Sequence, residues 1–249
     1  MNGMKNQIHI ERDFGWFIGA FDGNQKHQHY AIQLTIPIEG ELHLITAKET
    51  IITSSPVLIQ SNVTHQIISN SRHFLLLINP ASTIGHYWQS AAHKEIQEFH
   101  ISPATQIIKV LNNTFLSEEK SAIINHIIHS HDCFCYTTIH QIDERINAAF
   151  EFLKANSHRM VSMEETADHC HLSPGRFLHL FKEETGITYR RAQLWTKVMQ
   201  GLHLLKTRSF TEIAHSVGFA DSAHFSRTFK ENFGFSPREF AKISQFVQV

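Results

Sequence analysis

Short runs of β-branched and aliphatic residues, at 32–38, 42–46, 50–53, 57–60, 65–68 and 74–78, follow one another with turn signals such as Glu39-Gly40 and Ser54-Ser55-Pro56 between them. Runs of that length with that punctuation predict strands, and many in succession predict a sandwich or small barrel up to about residue 80. After Asn79-Pro80 the period changes. Ala104, Ile107, Ile108, Leu111 and Phe115 recur at helical spacing behind Ser102-Pro103, which reads as an N-cap and a proline at the first helical position. Ile123, Ile124, Ile127 and Ile128 repeat the pattern behind Ser117-Glu118-Glu119. From there on the chain reads as helix, with a lapse at 132–142 that predicts a linker before Ile146, Ala149, Phe150 and Leu153 resume. The aliphatic stripe of 103–131 offers more apolar surface than a small barrel covers, and so predicts a two-fold dimer interface.

The helical half contains a repeat. SPGRFLHLFKEETG at 173–186 and DSAHFSRTFKENFG at 221–234 share Phe177/Phe225, Phe181/Phe229, Lys182/Lys230, Glu183/Glu231 and Gly186/Gly234 at an offset of 48. A capping-box signal precedes each copy, Ser162-x-x-Glu165 and Ser209-x-x-Glu212, so the unit reads as helix, tight turn, helix, twice over. On a helical wheel Phe177, Leu180 and Phe181 face inward in the first copy, and Phe225, Thr228 and Phe229 in the second. Gly175, Leu178, His179 and Lys182, and then Ala223, Ser226, Arg227 and Lys230, are left outward. Residues 188–206 between the copies predict a helix of about 19 residues, roughly 28 Å long. A strut of that length suits two recognition helices spaced near one DNA turn, about 34 Å.

Composition narrows the partners. The 249 residues are 42% hydrophobic and 18% charged, and 22 Lys+Arg against 23 Asp+Glu leave a formal charge of −1, so affinity for nucleic acid has to come from a local face. The excess of base lies in residues 140–249, with 14 basic and 12 acidic side chains against 8 and 11 in residues 1–139. Three cysteines, Cys133, Cys135 and Cys170, are too few for a disulfide framework, and the opening residues lack the apolar core of a signal peptide. No apolar run approaches the roughly 20 residues of a membrane span. The expectation is a cytoplasmic protein with no membrane partner. The 20 histidines are the unusual feature.

Residues 143–242 resemble the AraC/XylS family of bacterial transcription regulators. The resemblance is carried by Asp143-Glu144-Arg145-Ile146, by the stretch from Phe210 to Phe219 (FTEIAHSVGF), by Phe225-Ser226-Arg227-Thr228-Phe229-Lys230, and by the closing Gly234-x-Ser236-Pro237-x-Glu239. It implies an all-α domain with two helix-turn-helix motifs that bind double-stranded DNA. By position it places base and phosphate contacts at Gly175, Arg176, Leu178, His179 and Lys182, and at Ser222, Ala223, His224, Ser226, Arg227 and Lys230. Gly175 and Leu178 stand where hydrogen-bonding readers are common, which points to contacts with thymine methyls and phosphates. Lys197 and Gly201 stand where the family usually has Arg and Ala, and a glycine there is expected to soften the connecting helix.

In the N-terminal half, Gly23-x3-His27-x-His29-x3-Gln33-x6-Gly40 resembles the first cupin motif with Gln in place of Glu, and Asn62-x2-His65 resembles the second. On an extended strand His27, His29 and Gln33 share one face and Tyr30, Ile32 and Leu34 the other, so the polar set points into a barrel and the apolar set onto helices. The resemblance implies a barrel that binds a small effector through His27, His29, Gln33 and His65, usually without metal; His27, His29 and His65 are the set that would hold an ion. A second group, His126, His129, His131, Cys133 and Cys135, has ligand-type side chains and is expected to cap a helix and start the linker, while His169 and His171 are expected at the surface or in packing.

The expected fold is α+β: a cupin-like barrel at 1–80, a helical dimerising segment and linker at 81–135, and a DNA-binding domain at 140–249. The expected function is effector-modulated, sequence-specific transcriptional regulation, with no enzymatic activity and no cofactor, and with DNA, a small effector, RNA polymerase and a second copy of the chain as partners. The alternative is a metal-dependent cupin enzyme fused to a helical domain. No Ser/His/Asp set, phosphate-cradling glycine loop or paired-carboxylate motif points to another chemistry.

Overall fold

The computed structural model describes residues 6–20, 24–69, 71–133, 143–205 and 207–243. Two compact units divide the chain, one made of residues 1–134 with 238–249 and the other of residues 135–237.

In the first unit the strands are β1 (Gln7–Ile10), β2 (Phe14–Gly19), β3 (Ile32–Pro37), β4 (Leu42–Ile45), β5 (Thr50–Thr53), β6 (Val57–Ile59), β7 (Gln66–Ile68), β8 (His73–Ile78) and β9 (Ile96–Glu98). The helices among them are α1 (Thr83–Ser90), α2 (Ser102–Leu111) and α3 (Ser117–Ser130). The strands form two antiparallel sheets, β1-β2-β8-β3-β6-β9 and β5-β4-β7, rather than one closed ring. Of the expected runs, all six become strands. β1, β2 and β9 are additions, and β9 interrupts a stretch expected to be helical, because Ile96 and Glu98 pair with Ile59 and Val57 to extend the large sheet.

Period-two alternation on β3 sets what each sheet face does. Register places Trp16, Leu76, Leu34 and Leu58 side by side across four strands, all at most 2% exposed. This stripe joins Ile107, Ile124 and Ile128 of α2 and α3 in one core. Burying each such side chain is worth about 1.5–3 kcal/mol. Trp16 Nε1 also donates to Asn125 Oδ1 at 2.8 Å, so a polar contact fastens α3 to the sheet. Val57 and Ile59 on the other face pack with Leu42, Leu44 and Ile67 of the small sheet in a second, smaller core.

This packing corrects the argument for a dimer. Ile107, Leu111, Ile124, Ile127 and Ile128 are buried against their own sheet, and Ile108 and Ile123 lean on the same core. The sheet is wider than six short runs predict, because β1 and β2 extend it, and it covers the stripe. Phe115 and Leu116, between α2 and α3, remain exposed. Ser102 is the first helical residue rather than the cap, which falls on Ile101.

In the second unit lie α4 (Glu144–Ala155), α5 (Met163–His169), α6 (Pro174–Thr185), α7 (Tyr189–Leu204), α8 (Phe210–Ser216) and α9 (Ser222–Phe233), followed by α10 (Pro237–Ile243), which extends past its boundary. Helix starts follow the sequence signals. Ser162 and Ser209 accept from the backbone N–H groups of Glu165 and Glu212. The box is complete only at α8, where Glu212 returns to the Ser209 N–H at 2.8 Å; the Glu165 carboxylate is taken by Arg159. Gly186 and Gly234 end α6 and α9 at φ 71° and 78°, the left-handed conformation that stops a helix at little cost to glycine. Among the described residues no helix is long and apolar enough to cross a membrane.

Candidate nucleic-acid interface and ligand pocket

Each motif packs one face of its second helix and leaves the other bare. Phe177, Leu180 and Phe181 of α6 are buried with Tyr189, their rings 5.5–5.8 Å apart. Phe225, Phe229 and Phe233 of α9 are buried with Phe219 and Trp195. Gly175, Arg176, Leu178, His179 and Lys182 are all exposed on α6, and Leu178, at 41%, is one of the few large apolar side chains left bare. On α9, Ala223, Arg227 and Lys230 are exposed, while Ser222, His224 and Ser226 are half-buried. The His224 ring stands edge-on against Phe219 at 4.9 Å, which ties part of it to packing.

Helix α7 touches α4, α6, α8 and α9 and so carries both motifs. It has 16 residues, shorter than expected, and is about 24 Å long. Lys197 on this helix is 1% exposed, and its ammonium donates to the carbonyls of Ser157 (2.5 Å), Arg159 (2.7 Å) and Val217 (2.8 Å). Burial and the neighbouring Arg159 pull its pKa down to about 8, so at neutral pH the charge persists among three acceptors. The first two carbonyls lead into the first motif and the third lies in the turn of the second. One side chain therefore fixes both motifs to the strut.

Gly201 has the opposite role to the one expected. A Cβ there would lie 2.9 Å from Phe225 and 3.2 Å from Ile213, so glycine lets α7 approach α8 and α9 closely instead of softening the strut. The tight turns differ: Gly218 takes φ 68° in the second, and His171, a residue with a Cβ, takes φ 55° in the first.

The N-terminal candidates converge. His27, His29, Gln33 and His65 are all at most 8% exposed, and a bridge pairs the His27 and His65 backbones outside the named strands. The ligand-type nitrogens of the three histidines lie within 4.8 Å of one another. Each imidazole presents Nδ1 to a carbonyl two residues away, His27 to Gln25, His29 to Ala31 and His65 to Val63, each at 2.9 Å. Gln33 Oε1 lies 3.0 Å from His29 Nε2 and 3.3 Å from His65 Nε2, and the Gln33 amide donates to Thr35 Oγ1 at 2.9 Å. Burial, and behind it the charge that His29 would carry, lowers the pKa of His27 to about 4; burial and both neighbouring imidazoles lower that of His65 well below the ordinary 6.5. These two rings are neutral at pH 7. The β3 alternation holds, with Gln33 and Thr35 in the polar interior and Ile32, Leu34 and Ile36 in the helix-backed core.

Residues 166–243 match a helix-turn-helix domain family. The HTH-type transcriptional activator RhaS of Escherichia fergusonii is 30% identical over 169 residues, which span 64% of this chain and 60% of RhaS. RhaS of an Enterobacter species is 36% identical over 99 residues, 39% of this chain and 36% of that protein. The chain thus aligns with about 60% of the length of the first of these relatives and about a third of the second. Apo ToxT of Vibrio cholerae shares the fold at 12% identity, with a TM-score of 0.64 over 94% of this chain and 98% of ToxT. ToxT bound to an unsaturated fatty acid does so at 15% identity, with a TM-score of 0.60 over 94% of this chain and 97% of ToxT.

The match over residues 166–243 and the similarity to RhaS agree with the AraC/XylS resemblance read from the sequence. The N-terminal β unit followed by a helical unit is the arrangement this chain shares with ToxT. The second histidine group does not gather among the described residues. His129 pairs with Glu11 at 2.9 Å, His131 donates to the Ile127 carbonyl, Cys133 lies 3.3 Å from His86, and Cys135 falls outside the described residues. His169 stacks on Phe152 at 4.3 Å. Three residues were absent from the expected site. Thr35 was signalled by its place two residues after Gln33, whereas Lys197 and Gly201 stood out in sequence only as departures from the family pattern.

Proposed function

We propose that this chain is a sequence-specific DNA-binding transcriptional regulator, acting as a binding protein rather than a catalyst, whose DNA occupancy is set by a ligand in the N-terminal unit. The observation that carries the reading is the paired arrangement of α6 and α9, each with a buried phenylalanine face and an exposed face bearing Arg176 and Lys182 or Arg227 and Lys230. Lysines supply salt-sensitive phosphate affinity, and Arg227 is suited to bidentate contact with guanine in the major groove. Gly175 and Leu178 contribute methyl and close backbone contact in the first motif.

ToxT has been solved with an unsaturated fatty acid and with a naphthalenyl butenoic acid, which supports a ligand-binding role for the similar N-terminal unit here, at His27, His29, Gln33 and His65. The domain division at 1–80, 81–135 and 140–249, a cytoplasmic location, pairing into a homodimer and a contact with RNA polymerase complete the proposal. The exposed Phe115 and Leu116 replace the buried isoleucines as the surface on which pairing would rest. The rival reading, a metal-dependent cupin enzyme, rests on the same histidines, and the helix-turn-helix match, the similarity to RhaS and the two-unit fold favour the regulator.

Selection of bound duplexes from random DNA by the full chain tests the function. Enrichment of one motif with two reading segments about one helical turn apart is expected. Recovery of unenriched sequence at physiological salt would refute it.

A further inference from the structure

The polar cluster between the sheets is arranged for something more specific than an organic guest. Each of its three rings faces a backbone carbonyl with Nδ1, so the ring proton sits there and Nε2 keeps a lone pair. Two of those Nε2 atoms lie 3.0 and 3.3 Å from the Gln33 Oε1, which is itself an acceptor. With the amide donating to Thr35 Oγ1, no proton stands between these pairs. Acceptors brought together in this way repel unless a cation joins them. Two ligand atoms about 2.1 Å from an ion and at right angles around it are about 3.0 Å apart, which is the observed spacing. The ring protons given to carbonyls match the outer contacts that orient metal-bound imidazoles.

We propose that His27, His29 and His65, through Nε2, and Gln33, through Oε1, hold one divalent first-row transition-metal ion. This departs from the metal-free pocket that the sequence resemblance implies. Three imidazole nitrogens and one amide oxygen suit Co2+, Ni2+, Cu2+ or Zn2+ and are a poor match for Mg2+ or Ca2+, which take oxygen donors. A donor set without a carboxylate leaves the ion's charge uncompensated by its ligands. The regulatory consequence rests on the ligand-responsive reading above; the site itself stands or falls separately. Turning the amide over would give a metal-free alternative, with Gln33 donating to both imidazoles and accepting from Thr35.

The test is titration of the chelator-stripped full chain with Co2+, followed by visible absorption and by displacement with Zn2+. One saturable equivalent per chain is expected. His27→Gln and His65→Gln should weaken it about 100-fold or more, and Thr35→Val, which frees the amide, about 10-fold. Far-UV and near-UV circular dichroism identify any variant that fails to fold. Gln33→Glu, which adds a charged ligand, should tighten binding and shift the Co2+ bands, and so keeps the test decisive if the histidine variants misfold. Wild-type protein without a saturable Co2+ band, or folded histidine variants that bind as wild type does, would overturn the site and leave the DNA-binding reading intact. One bound Co2+ that leaves affinity for the selected DNA unchanged would instead overturn the ligand-responsive reading and leave the metal site intact.

Discussion

The two units carry their chemistry on opposite sides of their packing. In the N-terminal unit the functional candidates are interior, polar side chains sealed between sheets, where every hydrogen bond and every proton affects the stability of the fold. In the C-terminal unit the reading residues stand outside a phenylalanine-rich core, and the packing only aims them. Interior polar sites are therefore coupled to folding and to pH, whereas exterior ones can change partner affinity at little cost to the fold. Lys197 is the exception that joins the two styles: a buried charge inside the unit whose function is on its surface.

Removing that exception should have the largest effect. Lys197→Met leaves the Ser157, Arg159 and Val217 carbonyls without their shared donor. A loss of about 3–5 kcal/mol in urea unfolding is expected, with DNA affinity falling as the two motifs lose their common anchor. A loss below about 1 kcal/mol would show that the tie is replaceable.

The interior style predicts a pH dependence in the metal-free protein. His27 has a pKa near 4 when folded and near 6.5 when unfolded. The unfolded chain then binds the extra proton between those values, so stability falls as pH drops from about 6.5 to about 4 and levels off below. The loss from this group is on the order of 3 kcal/mol. Urea titrations at pH 7.5, 5.5 and 4.5 measure it, and His27→Gln should flatten the slope. An equally steep slope in that variant would assign the dependence to other groups.

Gly201→Ala probes close approach rather than charge. The added methyl meets the buried Phe225, and a cost of about 1–3 kcal/mol is expected in place of the gain that alanine usually brings to a helix. A thermal melt that rises would restore the view of this glycine as a weak point in the strut.

The exterior style predicts the mildest change in the fold. Arg227→Ala should weaken binding to the selected site by about 1–3 kcal/mol and relax one base position, with stability altered by no more than about 0.5 kcal/mol. Lys182→Ala and Lys230→Ala should weaken all sequences alike and flatten the salt dependence by about one unit each. Gel-shift titrations across salt concentrations separate the two behaviours, and an Arg227→Ala variant with unchanged affinity and motif would remove α9 from the groove.

Much of this was legible in the chain. The F-x-x-x-F-K-E repeat marked which faces of α6 and α9 pack, because a 3.6-residue period leaves little choice once the phenylalanines are placed. The six strand runs were legible from their β-branched and aliphatic residues and the turn signals between them. The strands β1, β2 and β9 were not, since QIHI and IQE are very short and FGWFIG carries two glycines, so none stands out until a neighbouring strand pairs with it. That omission also misdirected the reading of the α2 and α3 isoleucines, whose partner surface is built partly from β2.

The sequence by itself determined the local periods, the helix caps at Ser162 and Ser209, the paired recognition faces and the common face of His27, His29 and Gln33. Each depends on interactions a few residues apart. Tertiary structure alone decided how closely the His65 ring meets those of His27 and His29, that the Gln33 amide is bonded to Thr35, that one sheet covers the isoleucine stripe, and that Lys197 and Gly201 hold the two motifs to α7. Those outcomes depend on which distant segments meet and how closely, and neither quantity is written in the spacing of residues along one strand or helix.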